Sequence, residues 1–81
     1  MPRIVAAKAM LKNVERSGDT LLPADGRRLV VAPEDATVTS IWMRSARLTL
    51  REAKLPGRGA AFNLSVTNEE TGETIAARLN A

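Results

Sequence analysis

Two stretches of this chain alternate apolar and polar residues with a period of two, and together they define its C-terminal end. From Phe62 to Thr67, Phe62, Leu64 and Val66 share one side while Asn63, Ser65 and Thr67 share the other, which is the pattern of a half-buried strand. Ile75, Ala77 and Leu79 then share a face against Thr74, Ala76 and Arg78. Pairing Val66 with Ile75, Leu64 with Ala77 and Phe62 with Leu79 puts both apolar sets on one face and leaves Glu69, Glu70, Thr71 and Gly72 as the loop. Such a loop needs a positive-φ residue near its end, which Gly72 supplies without a steric penalty. A lone hairpin is marginal in water, so its apolar face predicts a cover built from the residues before it.

Upstream the pattern changes. From Arg3 to Arg16, Ile4, Ala7, Leu11 and Val14 recur at helical spacing, with Lys8, Lys12, Glu15 and Arg16 elsewhere on the wheel and Ser17-Gly18 as a stop; this predicts a short amphipathic helix. Thr20 to Val31 places two apolar runs around Asp25-Gly26, a second hairpin. Pro23 cannot donate to a ladder and belongs at an edge or a strand end, and Pro33-Glu34-Asp35 breaks the chain after Val31. Thr37 to Leu55 admits two readings. Thr37, Val38, Thr39, Ile41 and Trp42 have β preference and Arg47 to Arg51 alternates, which favours strands ended by a Pro56-Gly57 turn. The rival is a helix from Met43 to Leu55 with Arg44, Arg47, Arg51 and Lys54 on one stripe. Both leave Arg47 and Arg51 facing outward. The expected class is α+β, mostly antiparallel β: a small two-hairpin sheet or barrel with a short N-terminal helix, forming a single small domain over residues 1–81.

Composition narrows the chemistry. Of the 44% apolar residues thirteen are alanine, so few large side chains remain for a core. One small core gives about 3–5 kcal/mol of stability, and self-association or docking on a partner is expected to supplement it. With neither cysteine nor histidine in 81 residues, there is no thiolate or imidazole nucleophile, base or metal ligand. The remaining acids, among them Glu34-Asp35 and Glu69-Glu70, stand in turn or polar contexts that would hardly move their pKa values. Gly57-Arg58-Gly59 lacks the lysine, the hydroxyl and the strand-helix context of a phosphate loop. No catalytic residue, metal, cofactor or small-molecule substrate is therefore expected. Apolar runs fall short of a membrane span, and lysines interrupt Met1 to Val14 where a leader would be apolar; the chain reads as cytoplasmic in origin and not secreted.

Charge is uneven. Residues 1–58 carry eleven basic and six acidic side chains, residues 59–81 one basic and three acidic, so an acidic hairpin tip sits on a basic body of overall charge +3. Arg44, Arg47, Arg51, Lys54 and Arg58 form a basic band that could meet phosphates, although two aromatic residues offer no stacking platform for single strands. Trp42 suits the core, or, beside Met43 and Arg44, an anchor for a protein partner.

Leu21-Leu22-Pro23-Ala24-Asp25-Gly26, followed by Trp42 and Arg44 to Leu48, resembles the LLPAEG, W and R-to-L pattern of very short uncharacterised proteins encoded among the tail genes of Mu-like bacteriophages. The resemblance covers at most a third of the chain. It implies a non-enzymatic virion or assembly component, located in the bacterial cytoplasm or the phage virion. The expected function is binding to other protein subunits, self-association included, with contacts at Trp42, Arg44, Arg47, Arg51 and Arg58 on the basic side and Glu69 and Glu70 at the acidic tip. The alternatives are a DNA-binding regulator that uses the Arg44 to Arg58 band, with nucleic acid as partner, or a small inhibitor of a host protein.

Overall fold

Six strands close on themselves in the structure, a computed structural model that describes residues 7–80. They are β1 (Ala7–Glu15), β2 (Thr20–Pro23), β3 (Leu29–Val31), β4 (Arg47–Glu52), β5 (Leu64–Asn68) and β6 (Thr74–Leu79), with one short helix, α1 (Ala36–Thr39), between β3 and β4. Their order is β1-β2-β3-β6-β5-β4, every neighbouring pair is antiparallel, and β4 returns to β1. Two three-stranded meanders are thus joined along two seams. Closure removes the unpaired edges that an open sheet of this size would present.

The N-terminal helix expected over Arg3 to Arg16 is instead β1; residues 3–6 of that prediction, Ile4 among them, lie outside the described residues. The physical reason is a β-bulge. Leu11 pairs with Pro23 and Asn13 with Leu22, so Lys12 is an extra residue on β1. Ala7, Ala9 and Leu11 turn toward the core with period two, and beyond the bulge the next residue to do so is Val14, three positions on. Those steps of four and three between Ala7, Leu11 and Val14 imitate a helical stripe. The bulge also lets β1 serve two partners, with Ala7 to Met10 against β4 and Leu11 to Glu15 against β2.

The Thr20 to Val31 hairpin forms as expected, with Thr20 opposite Val30 and Leu21 opposite Leu29, and Pro23 at the strand end. From Thr37 to Leu55 the favoured strand reading holds for Arg47 to Glu52 and fails upstream, both for Ile41 and Trp42, which lie in no strand, and for Thr37 to Thr39. These β-branched residues sit in α1, because Pro33 opens a 3-10 turn that feeds the helix and the Thr39 hydroxyl donates to Gly18 O at 2.6 Å. Tertiary hydrogen bonding overrides local preference there. Gly18 makes this contact feasible: its φ is +101°, and a Cβ would lie 2.0 Å from Ala36 O. Pro56-Gly57 turns the chain after β4, with Gly57 at φ +80°.

The C-terminal hairpin keeps the expected register of Val66 with Ile75 and Leu64 with Ala77. Phe62 does not pair with Leu79. Strand β5 begins only at Leu64, and Leu79 lies opposite Leu29 of β3, because closing the barrel takes the end of β6 away from β5. The barrel interior is filled by Leu11, Leu21, Leu29, Leu48, Leu50, Val66 and Ile75, all nearly inaccessible. Residues 32–46 run from the end of β3 to the start of β4, and Trp42 from this connection joins the core cluster. Among the described residues no helix is long and apolar enough to cross a membrane.

Candidate functional site

The chain just before β4 is held as a rigid projection. Ala46 N donates to Met43 O at 3.3 Å, closing a turn with Arg44 and Ser45 in its middle, and Ser45 is left-handed at φ 69°. Ser45 N then donates to Leu11 O at 2.7 Å while Leu11 N donates to Ala46 O at 2.9 Å. Two residues thus oppose one, a bulge that starts with a left-handed residue. It bends the chain into β4 and leaves Arg44 at the tip.

Trp42 anchors this projection from inside. Its backbone N–H donates to Thr39 O at 3.0 Å, and its indole N–H to Glu73 Oε1 at 2.8 Å. Trp42 is only 6% exposed, whereas its neighbours on either side point away: Ile41 is 73% exposed and Met43 78%. Met10, opposite Arg47 across the β1–β4 seam, is half exposed as well. These side chains, together with Ala46, surround a groove of about 560 Å³. Its far rim is the β5–β6 loop, hooked to β4 by Glu69 N donating to Arg47 O at 2.8 Å and shaped by Glu70 N donating to the buried Asn68 Oδ1 at 2.8 Å.

Of the seven residues singled out in the sequence, four meet here. Trp42 is the floor; Arg44, Arg47 and Glu70 are the rim. Arg47 and Glu70 form a long, exposed pair at 3.8 Å. Glu69 turns to a neighbouring hollow, where Lys8 and Thr49 both bond its carboxylate. The Lys8 hydrogen bond, followed by that of Thr49, holds this carboxyl below its ordinary pKa. Arg51 lies exposed on the outer face of β4 beyond Thr49 and does not line the groove.

Arg58 is in a different place with a different task. Its guanidinium grips Asp35 with two nitrogens, Nε to Oδ2 at 3.0 Å and Nη2 to Oδ1, while Nη1 donates to Pro56 O at 2.8 Å. Asp35 is buried, and its Oδ2 also accepts the backbone N–H of Ala76 at 2.9 Å. Strand β3 ends at Val31, and the carboxylate continues its hydrogen bonding to β6 from there, next to Ala32 N donating to Ala76 O. Burial alone would raise the Asp35 pKa; the Arg58 and Ala76 hydrogen bonds and the guanidinium charge outweigh it and hold the carboxyl below its ordinary value. The same bridge raises the pKa of Arg58.

Reading the sequence missed Ile41, Met43 and Met10. No strand runs through residues 41–43, so alternation does not account for Ile41 and Met43, and Met10 faces out as the neighbour of the core-facing residues Ala9 and Leu11 on β1. Among the described residues no group of three or more acidic side chains is placed to hold a metal ion. No family model, curated protein or solved structure matches the chain.

Proposed function

We propose that this chain is a non-enzymatic, phage-type structural or accessory protein that works by binding other protein subunits through the groove beside Trp42. The observation that carries this reading is the presentation of Ile41 and Met43, each about three-quarters exposed, on a turn fixed by backbone hydrogen bonds. Large apolar side chains held out by a rigid support beside a hollow are what an interface core needs. A rim of Arg44, Arg47 and Glu70 around them suits a protein surface that brings charges of both signs. Among the described residues the closed ladder offers no edge for strand addition, so contact through side chains is the available mode. The basic band of a DNA-binding regulator is divided in the fold, with Arg58 engaged by Asp35 and Arg47 beside Glu70.

The test is site-specific photo-crosslinking in the cells that carry the gene. A photoreactive residue at position 43 is expected to give a discrete protein adduct, identified by mass spectrometry and lost when Ile41→Glu is added, whereas the same residue at position 24, exposed in the β2–β3 turn, gives none. Adducts to nucleic acid, or the same adducts from both positions, would overturn the proposal.

A further inference from the structure

The groove and its projection complement each other, and we infer that the subunit this face binds is a second copy of the same chain, related by a two-fold axis. The inference rests on the subunit-binding reading and names its partner. A two-fold contact brings one patch against itself, so each feature must find its complement within that patch. This patch holds both halves. Ile41 and Met43 project from the turn and form one wall of the hollow of about 560 Å³, whose other walls include Met10, Ala46 and Thr71.

The charges follow the same logic. Arg44 stands at the tip of the projection, and Glu70 stands on the rim formed by the β5–β6 loop. When Met43 of one copy enters the hollow of the other, Arg44 comes beside the partner copy's carboxylate on that rim, and symmetry forms the pair twice. The bond that Glu70 makes within its own chain is long, 3.8 Å to a largely exposed Arg47, so it yields readily to a shorter one. The second hollow, lined by Lys8, Ala9 and Glu69, shares Met10 and Arg47 with the first and extends the face. That matters for area, since a specific interface takes about 800 Å² per partner, near a sixth of the 5090 Å² this small chain exposes.

Size-exclusion chromatography with light scattering across a wide concentration range tests it, using the full chain and three variants: Arg44→Glu, Glu70→Arg and the double exchange. The wild type is expected to climb from 8.7 kDa toward twice that mass and stop there. Each single exchange sets like charges together and is expected to weaken the dimer roughly tenfold or more, while the double exchange restores it. Circular dichroism melts confirm that the exposed changes leave the fold intact. Singles that dimerise as tightly as wild type, a double that stays as weak as the singles, or masses that continue past two copies overturn the two-fold contact. A chain that remains monomeric while position 43 still cross-links to a different protein overturns the second copy and leaves the subunit-binding reading standing. A chain that neither dimerises nor cross-links overturns both.

Discussion

Arg58 and Arg47 each face a carboxylate, and the two corners of the barrel differ in nearly everything that sets the worth of an ion pair. At the first corner the carboxylate is Asp35, with a side chain only 4% exposed, gripped by two guanidinium nitrogens and by a backbone N–H of β6. At the second, Glu70 and Arg47 are both mostly exposed and 3.8 Å apart. The first pair ties the β4–β5 connection and the β3–β4 connection to one strand, so it holds the fold. The second holds little, and its charges remain available to whatever covers the groove. Sequence composition treats all four residues alike; burial and hydrogen-bond count separate them.

The comparison breaks most visibly at Asp35. Asp35→Ala strands the Arg58 guanidinium beside the sheet and leaves the Ala76 N–H without its acceptor. Removing one partner of a buried, hydrogen-bonded pair costs about 3 kcal/mol or more, comparable to the whole stability of a domain this small. The variant is expected to lose its cooperative thermal transition near room temperature, as followed by far-ultraviolet circular dichroism. An Asp35→Ala protein that melts as the wild type does would return the bridge to the class of the exposed pairs.

Acid makes the same break reversibly. The Asp35 carboxyl titrates in the folded chain below the ordinary value of 3.8, because hydrogen bonds and the Arg58 charge outweigh desolvation. A folded-state pKa below the unfolded one means that the unfolded chain binds the proton more readily. The contribution is therefore complete above the unfolded value and is lost as pH falls through the folded one. The melting temperature is expected to hold level from neutral pH to about 5 and to fall below about 4, and Asp35→Asn, measured in a stabilising osmolyte because it too unpairs Arg58, is expected to show a shallower decline. Glu69, lowered by Lys8 and Thr49, leaves a smaller residual slope because its bonds are solvent-exposed.

How much of this could be read from the chain alone follows the same division between local and distant causes. Val66 opposite Ile75 and Leu64 opposite Ala77 are set by alternation and by a turn residue a few positions away, so the heart of the C-terminal hairpin was legible, and the β2–β3 hairpin was legible as a turn between two apolar runs though without its register. The N-terminal strand was not, since one extra residue at Lys12 converts a period of two into a helical imitation, and the cause of that bulge lies in the need of β1 to pair with both β2 and β4. Thr37 to Thr39 failed for the same kind of reason, a hydroxyl bond to Gly18 some twenty positions away. At the site, outward Arg47 followed from alternation. The capture of Arg58 by Asp35 across 23 positions had no local trace.

A smaller effect, of opposite sign, is expected on the docking side. Ser45 holds a left-handed φ of 69° at the bulge that aims the projection, a conformation in which a Cβ is a penalty and glycine carries none. Ser45→Gly is expected to raise stability by about 0.5–1 kcal/mol, part of the relief being offset by the greater freedom of glycine in the unfolded chain. In a domain of this size that is a rise in melting temperature of about 2–8 °C. A fall would mean that the serine side chain supports the turn in a way its backbone geometry does not reveal.

The finest separation of the two corners is a pair of double-mutant cycles, which remove the cost of each truncation and leave the coupling between partners. For Arg47 and Glu70, each changed to alanine and then both together, the coupling is expected to be below about 0.5 kcal/mol. An exposed pair at 3.8 Å gains little in high dielectric and orders two long side chains to gain it. For Asp35 and Arg58 the same cycle, run in a stabilising osmolyte so that every member folds, is expected to give a coupling several times larger. Salt supplies the independent check: raising ionic strength screens an exposed pair far more than a buried one, so the first coupling fades and the second persists. Equal couplings at the two corners would mean that the three hydrogen bonds reaching the Asp35 carboxylate do no more than offset its desolvation, and the bridge would then serve to position the Pro56 loop without stabilising it.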